Sequence, residues 1–514
     1  MEGILKKLQN LSESDFYPYH MPGHKRLGNE AFALDITEID DFDNMYHADG
    51  IILEAQKRAA SAYGAKESFF LVNGSTCGLL VAITAAFRRG DKVLVARNCH
   101  KAVYHAIELR GLEPVYLYPE VDDKYDISVG VTAKQVLDIL EEHDSVSGSN
   151  EKEAGDLYRK DAGDRENTGQ IKGMILTSPT YEGMVSEVEQ IAELLHQRDM
   201  VLIVDEAHGA HFGFHEDFPT SAVRLGADLV IQSLHKTLPS MTQTALLHRC
   251  SERVELTRVQ KYLGVYQTSS PSYVFMAYMD ECISLLQNKG AELFEAFAGR
   301  LEHFYKRCEA FTCIKVHQPM RQNGVSDCEK KGKYVSDPGK VVICGGDFYS
   351  GKELHAILRE RYHLQPEMCA GSYVLAIMTI FDTEEGFERL YKALAELDGE
   401  LDAKCAKSGQ DENGLTACRT KEKILVSLLK ERPVKKYNPW DMEDKTCEKI
   451  KLTETAGRIS GEYIYLYPPG IPFIVPGEVI SEKMTEAFVK LQKEGYELQG
   501  PADGTCERIA VMSE

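Results

Sequence analysis

Apolar strand segments alternate with amphipathic helical segments through the middle of the chain, and this alternation restricts the possible folds more than any other feature. The spacing of apolar residues predicts strands at 92–96, 114–118, 173–177, 201–205, 228–231 and 243–247, with helices at 101–110, 132–142 and 188–198. Such alternation builds right-handed crossovers in a mostly parallel sheet, so the chain is predicted to be an α/β protein. Ligands of these sheets bind outside the carboxyl ends of the strands.

Polar side chains cluster at those predicted strand ends. The segments are Asn73-Gly74-Ser75-Thr76, Asn98-Cys99-His100, Ser178-Pro179-Thr180-Tyr181, Asp205-Glu206-Ala207-His208 and Ser233-Leu234-His235-Lys236. Because the carboxyl ends of parallel strands meet at one edge of a sheet, these segments are predicted to surround one ligand site.

Lys236 and Asp205 are the most informative pair among them. A lysine at the end of a core strand is costly as an ammonium, but a desolvated lysine can be neutral near pH 7 and attack a carbonyl. A carboxylate at the end of the preceding strand suits the nitrogen of a pyridinium ring, so the pair predicts a Schiff-base lysine with its acidic partner. The alternative is an exposed lysine at a strand end.

Gly74, Ser75 and Thr76 lie between a predicted strand, 69–72, and a predicted helix, 77–88. Hydroxyl groups and free N–H groups at a helix start attract anions such as phosphate. The alternative is an ordinary helix cap made by Ser75 or Thr76. The chain contains neither of the common glycine-rich nucleotide motifs, which leaves nucleotide binding with weak support.

The composition excludes several classes of protein. The formal charge of −21 argues against binding to nucleic acid or to an anionic membrane. The longest apolar run, 79–87, is too short to span a bilayer. The 13 cysteines are scattered without zinc spacing, which favours reduced thiols in the cytoplasm and no metal site. His211 and His215 have no completing ligands nearby in the sequence, so a structural role is favoured for both.

Several motifs, in order along the chain, resemble those of the Orn/Lys/Arg decarboxylases. They are His20-Met21-Pro22-Gly23-His24-Lys25, Asn73-Gly74-Ser75-Thr76, Asn98-Cys99-His100-Lys101, Ser178-Pro179-Thr180-Tyr181-Glu182-Gly183, Asp205-Glu206-Ala207-His208-Gly209, Ser233-Leu234-His235-Lys236-Thr237 and the 468–478 segment. The resemblance implies pyridoxal 5′-phosphate fold type I, like aspartate aminotransferase, with smaller α+β domains after the large sheet. It also implies decarboxylation of arginine, lysine or ornithine to the corresponding di- or polyamine, in a homodimer or higher homo-oligomer. The His20 motif comes almost at once, as in the short form of the family.

The resemblance also implies roles for individual residues. Lys236 would bind the cofactor aldehyde, and Asp205 would keep the pyridine nitrogen protonated. His208 would support the cofactor indirectly, through the residues that contact it. The phosphate would be held by Gly74, Ser75, Thr76 and Ser233, with His235 as a further candidate. His100 would lie against the ring, the alternative being a cap for the helix at 101–110. Glu367 would bind the cationic end of the substrate, and either Lys236 or His235 would return a proton to Cα.

The predicted domains are an N-terminal segment (1–45), a large cofactor-binding domain (46–290), a small α+β domain (291–402), a polar linker (403–420) and a C-terminal domain (421–514). Polar insertions are predicted at 145–170, 318–340 and 403–420. At least one of two Pro/Gly-rich segments, 20–25 and 468–478, is expected near the cofactor or its entrance.

Two alternatives stay open at the level of sequence. An aminotransferase, lyase or aldolase of the same fold would share the cofactor core, and Arg359 or Arg361 could serve the substrate carboxylate of an aminotransferase. A protein that retains the fold without catalysis is the second alternative, against which the intact Lys236 and Asp205 argue.

Overall fold

The computed structural model describes residues 3–150, 169–320, 334–408, 424–468 and 470–513. The strands are β1 (Glu67–Leu71), β2 (Lys92–Ala96), β3 (Glu113–Leu117), β4 (Val121–Asp122), β5 (Ile127–Ser128), β6 (Ile171–Thr177), β7 (Val201–Asp205), β8 (Leu229–Ser233), β9 (Ala245–Arg249), β10 (Lys315–Val316), β11 (Lys340–Cys344), β12 (Met368–Ala370), β13 (Tyr373–Ile377), β14 (Cys447–Lys451), β15 (Ile464–Leu466), β16 (Ile471–Ile474), β17 (Leu498–Gln499) and β18 (Arg508–Met512).

The helices cover the sheets and connect their strands. They are α1 (Ile4–Ser12), α2 (Ile51–Tyr63), α3 (Gly74–Ala86), α4 (Lys101–Arg110), α5 (Ala133–Asn150), α6 (Val188–His196), α7 (Leu234–Thr237), α8 (Leu256–Tyr266), α9 (Tyr273–Cys308), α10 (Gly351–Tyr362), α11 (Glu384–Ser408), α12 (Ile424–Lys430) and α13 (Glu482–Lys493). None of the helices in the described ranges is both long enough and apolar enough to cross a membrane.

The largest sheet has seven strands in the order β1-β9-β8-β7-β6-β2-β3. The five strands from β8 to β3 in that order run parallel, as the strand–helix alternation predicts. β9 instead runs antiparallel to both of its neighbours. Only a short segment separates β8 from β9, and a parallel connection needs a crossover of a dozen residues or more. Because five neighbouring strands of the seven run parallel, the prediction of a mostly parallel α/β sheet is confirmed.

Helix α3 is buried along most of its length against this sheet. Gly78 permits the contact, since a Cβ at that position would lie 2.6 Å from Leu71 Cδ1 and 3.0 Å from Ile231 Cγ2. The close approach brings the first turn of α3 to the end of β8. The predicted helix at 77–88 begins earlier than expected, at Gly74, so Ser75 and Thr76 lie inside its first turn.

Smaller sheets follow the large one along the chain. A four-stranded antiparallel sheet has the order β10-β11-β13-β12, and a three-stranded sheet has the order β16-β15-β17. Strands β14 and β18 form a separate pair. A hydrophobic cluster distinct from the main core packs α12 and α13 against these C-terminal strands. This arrangement confirms the predicted smaller α+β parts.

The predicted polar insertions need correction where the structure describes them. Helix α5 includes residues 145–150, and helix α11 includes residues 403–408. Residues 151–168 of the first insertion and 409–420 of the third lie outside the described ranges. The insertion predicted at 318–340 is wrong at its end, because Ser336, Asp337 and Lys340 are buried. Lys340 starts a core strand, and the polar composition of the preceding residues concealed this.

Candidate active site

A cavity of about 700 Å³ lies at the carboxyl ends of the parallel strands. Its wall includes all ten residues predicted for the site, namely Gly74, Ser75, Thr76, His100, Asp205, His208, Ser233, His235, Lys236 and Glu367. It also includes residues without a predicted role, among them Asn98, Tyr181, Ala207, Gln243, Tyr467 and Ile471. The convergence of strand ends therefore produces one shared cavity.

Lys236 lies in the one-turn helix α7, directly after β8. Its Nζ is 3.1 Å from His208 Nε2. Burial lowers the pKa of the Lys236 ammonium, while the Asp205 and Glu367 carboxylates oppose part of that effect. A lysine in this environment can present a neutral amine to a carbonyl at moderate pH.

Asp205 ends β7 and is 4% exposed. Its Oδ1 accepts a hydrogen bond from the Ala207 N–H at 3.2 Å. Burial raises the pKa of the Asp205 carboxyl, and the Lys236 charge offsets part of the rise. A buried carboxylate on the cavity wall is the group required to hold a proton on a pyridine nitrogen.

The first turn of α3 forms another part of the cavity wall. Ser75 Oγ and Ser233 Oγ are 2.5 Å apart, which places two hydroxyl groups at the positive end of a helix. The first turn carries no acidic residue, and Asn73, at the cap position, makes no capping bond through its side chain. The simple capping role considered for Ser75 or Thr76 is therefore not what the structure shows. N–H groups and hydroxyls in this arrangement fit a phosphate.

The capping role considered for His100 is present, and its side chain also reaches the cavity. It caps α4, where its Nδ1 accepts the Ala102 N–H at 3.2 Å, and it also lines the cavity. Burial, followed by the nearby Lys236 and Lys101 charges, lowers the pKa of His100 to about 4. His100 is therefore a neutral imidazole at physiological pH, with its proton on Nε2.

Glu367 lies on the more exposed part of the wall. Its Oε1 accepts a hydrogen bond from the Tyr181 hydroxyl at 2.5 Å, and the Tyr181 ring centroid lies 4.4 Å from that of His208. Glu367 and Tyr467 also line an adjoining cavity of about 360 Å³. A carboxylate in this position can accept a cationic group that extends from the cavity.

The C-terminal part of the chain closes one side of the cavity. Tyr467 and Ile471 contribute to the wall, and the Gly470 carbonyl accepts the Lys101 N–H at 3.0 Å. Gly470 has φ +79°, and a Cβ there would lie 3.3 Å from His100 Nε2, so glycine permits this approach. The 468–478 segment thus lies at the cavity, as expected for at least one of the two Pro/Gly-rich segments. It contains strand β16.

Other predicted residues lie elsewhere. Within the described ranges, the cavity wall includes neither the N-terminal 20–25 turn nor Arg359 or Arg361. Arg361 instead pairs with Glu396 and Glu400 on the surface. This arrangement removes the arginines on which the aminotransferase alternative depended.

The histidines considered for metal binding pair with single carboxylates. His211 Nε2 is 3.1 Å from Asp337 Oδ1, and His215 Nε2 is 3.1 Å from Glu295 Oε2. Across the part of the chain that the structure describes, no three His, Cys, Asp or Glu side chains form a group suited to a metal ion.

Lys340 is the residue that sequence analysis missed most clearly. Its Nζ lies 2.7 Å from His208 Nδ1, on the opposite side of the imidazole from Lys236. A signal was present, because a lysine directly precedes the apolar run of β11. The polar residues before it suggested an insertion and obscured that signal.

Comparison with known proteins identifies the family of the chain. The model of the Orn/Lys/Arg decarboxylase major domain matches residues 4–385, and the model of the C-terminal domain of the same family matches residues 429–498. An arginine decarboxylase of Bacillus anthracis is 31% identical over 511 residues, covering 96% of this chain and 94% of the relative.

More distant relatives have the same fold. Lysine decarboxylase LdcA of Pseudomonas aeruginosa is 23% identical over 555 residues, covering 91% of this chain and 72% of the relative. The solved structure of lysine decarboxylase A from Pseudomonas aeruginosa superimposes with a TM-score of 0.79 at 20% identity, covering 100% of this chain and 80% of that structure. The chain belongs to the Orn/Lys/Arg decarboxylase family and is a pyridoxal-phosphate-dependent amino-acid decarboxylase of fold type I.

Proposed function

We propose that the chain decarboxylates a basic amino acid, with arginine as the first candidate, and releases the corresponding amine and carbon dioxide. The observation that carries the proposal is the single cavity in which Lys236, Asp205 and the anion-binding turn meet, with Glu367 on the same wall. Arginine is favoured over lysine because several relatives that match at about 30% identity over nearly their full length are named arginine decarboxylases.

The direct test is an assay of carbon dioxide release from arginine, lysine and ornithine, with pyridoxal phosphate supplied. We expect release from at least one of the three, fastest from arginine. Formation of a keto acid without carbon dioxide would contradict the proposal. Faster release from lysine or ornithine would leave the reaction class intact and correct only the preferred substrate.

The residues of the cavity fit the phosphate, the ring nitrogen and the aldehyde of pyridoxal phosphate. We assign the phosphate to the first turn of α3 with Ser75, Thr76 and Ser233, the ring nitrogen to Asp205, and covalent attachment to Lys236. When bound, the cofactor supplies a sink for the electron pair that remains when the substrate carboxylate leaves as carbon dioxide. Asp205 maintains the positive charge on the ring nitrogen that makes this sink effective.

The hydrogen bonds of His235 support Lys236 as the proton donor to Cα. His235 Nδ1 lies 2.9 Å from the Thr244 carbonyl oxygen. A carbonyl can only accept, so the proton of a neutral His235 lies on Nδ1, and Nε2 has none to donate. Burial lowers the pKa of His235 and favours this neutral form. Lys236 is therefore the better supported of the two residues that were considered.

Glu367 is proposed to bind the distal cation of the substrate. Glu367→Gln keeps an oxygen that can accept the Tyr181 hydroxyl and removes only the charge. Since a hydrogen bond to a charged group contributes about 1.5–3 kcal/mol, KM for the preferred substrate should rise about 10- to 100-fold. Initial-rate kinetics measure this change.

The matched control for Glu367 is Glu497→Gln, which alters an exposed carboxylate on the wall of the adjoining cavity only. Its KM should stay near the wild-type value. An unchanged KM in Glu367→Gln would assign the cation to another group.

We propose that the chain forms a homodimer through its N-terminal segment. This segment exposes Phe16, Tyr17, Tyr19, Met21 and Leu27, and Tyr19 is 90% exposed. An apolar patch of this kind marks an interaction surface, and its position around the His20–Lys25 turn favours a second copy of the chain as its partner.

We expect sedimentation to show a dimer that the double variant Tyr19→Ser, Met21→Ser weakens at least tenfold. Phe381→Ser is the control, because Phe381 is 59% exposed and lies elsewhere in the fold. A monomeric wild-type protein, or equal effects of both variants, would contradict the proposed interface.

Two further expectations from the sequence remain proposals. None of the eleven cysteines that the structure describes forms a disulfide, which supports a cytoplasmic location. The separate sheets and the separate C-terminal core support a division into 46–290, 291–402 and 421–514.

A further inference from the structure

Three nitrogen-bearing side chains form a line that leads from the cavity into the protein. Lys236 Nζ is 3.1 Å from His208 Nε2, and His208 Nδ1 is 2.7 Å from Lys340 Nζ. Lys340 is 2% exposed and His208 is 7% exposed. The nearest neighbour of the cofactor-binding lysine is thus connected to a second, fully buried lysine.

The hydrogen-bonding capacity of these groups allows two arrangements. A neutral imidazole has one N–H donor and one acceptor nitrogen. In the first arrangement, the Lys340 ammonium donates to Nδ1, and the Nε2–H donates to a neutral Lys236 amine. In the second, the Lys236 ammonium donates to Nε2, and the Nδ1–H donates to a neutral Lys340 amine. Each arrangement contains one positive charge.

The surroundings disfavour a second charge on this line. Burial lowers the pKa of Lys340 to about 8, and the Lys236 charge contributes to this, while the Asp337 carboxylate opposes it. The groups that face Lys340 and His208 are Lys236, Asp337, Glu182, Glu367, His100, His235 and the Tyr181 ring. Those that face Lys236 are Asp205, Glu367, His208 and His100. Burial and the two lysines lower the pKa of His208 well below its ordinary value, so the imidazole stays neutral.

We propose that Lys340 is a positioning residue that takes up a shared proton through His208 and so keeps the Lys236 amine neutral for attachment of the cofactor. The proton of the Lys236 ammonium passes to His208 Nε2 while the Nδ1 proton passes to Lys340 Nζ, so one proton enters and one leaves the imidazole. This inference rests on the proposed role of Lys236.

The test follows cofactor attachment to protein from which the cofactor has been removed. Pyridoxal phosphate is added over a range of pH, and the growth of the visible absorbance of covalently bound cofactor gives a rate at each pH. In Lys340→Met, the proton of the Lys236 ammonium has no second lysine to which it can pass through His208. The positive charge of Lys340 near Lys236 is also lost. The midpoint of the pH–rate profile should therefore rise by about one unit, which is about a tenfold slower attachment near pH 7.

Two further variants keep the result interpretable. Lys435→Met is the matched control, since burial also lowers the pKa of Lys435, whose ammonium donates to the Pro114 carbonyl at 2.6 Å, outside the cavity wall. Its profile should match the wild type. If Lys340→Met does not fold, His208→Phe interrupts the line at its centre and should raise the midpoint in the same direction.

The outcomes separate this inference from the proposed function. A profile of the folded Lys340→Met or His208→Phe variant that superimposes on the wild-type profile overturns the shared-proton role while the cofactor assignment stands. Failure of the wild-type protein to acquire the absorbance overturns the cofactor assignment itself, and the role of Lys340 with it.

Discussion

Lys236→Ala should abolish carbon dioxide release and the visible absorbance of covalently bound cofactor, while the protein stays folded. Lys236 is proposed to provide the amine that attaches the cofactor, and alanine has no group that could replace it. Removal of a covalent nucleophile lowers turnover by about 10⁴-fold or more. The fold should persist because Lys236 lies on a cavity wall and is not part of the hydrophobic core.

The measurement combines three readouts on one preparation: carbon dioxide release, the absorbance spectrum and thermal unfolding. Lys66→Ala serves as a control, since Lys66 pairs with Glu252 on the surface. The turnover and the absorbance spectrum of Lys66→Ala should match those of the wild type. Retained turnover in Lys236→Ala with an unchanged spectrum would contradict the assigned chemistry.

The second large effect is expected on stability, from the buried ion pair between Arg97 and Glu478. The two side chains are 6% and 0% exposed, and Arg97 Nη2 lies 2.9 Å from Glu478 Oε2. Arg97 also donates to the Pro472 and Phe473 carbonyls, and its guanidinium lies 5.3 Å from the Tyr104 ring centroid. This pair fastens the C-terminal segment to the end of β2.

Glu478→Ala should lower the free energy of unfolding by about 3–5 kcal/mol, because it leaves the Arg97 cation buried without a counter-charge. Denaturant titration measures the loss of stability, and hydrogen exchange shows where in the chain it occurs. The loss should centre on the segment around 467–478. Because Tyr467 and Ile471 line the cavity, KM should also rise.

Two comparison variants test the physical cause. Glu448→Ala removes a partner of Arg458 from an exposed pair in the same part of the chain, and should cost at most about 1 kcal/mol. Arg97→Met combined with Glu478→Leu removes both charges and should recover much of the lost stability. Equal unfolding of Glu478→Ala and the wild type would show that the pair does not fasten the segment.

The parallel sheet and nine of the ten predicted site residues were predictable from local patterns, whereas Glu367 was assigned only by its resemblance to the decarboxylase family. Apolar periodicity identifies each strand, and the rule that ligands bind at carboxyl strand ends brings Ser75, Asp205 and Lys236 together without further information. The direction of β9 depends on the length of its connection to β8, which becomes evident only when the strand bounds are known.

The unpredicted residues depend on contacts between distant segments. Lys340 reaches His208 only because β11 packs beside the large sheet, and its own neighbours in the sequence are polar. Tyr181 was recognised at a strand end, but its bond to Glu367 joins two different sheets. Such pairings follow from tertiary packing, and a single sequence carries no local pattern that reports them.

The fastening of residues 467–478 onto β2 has a consequence for biosynthesis. The nascent chain makes Lys236 and the first turn of α3 long before the segment that forms one side of the cavity. Until Glu478 has left the ribosome and met Arg97, the cavity lacks one side of its wall. Catalytic competence is therefore acquired late in synthesis, so an incomplete chain that stops before this segment does not form the finished enzyme.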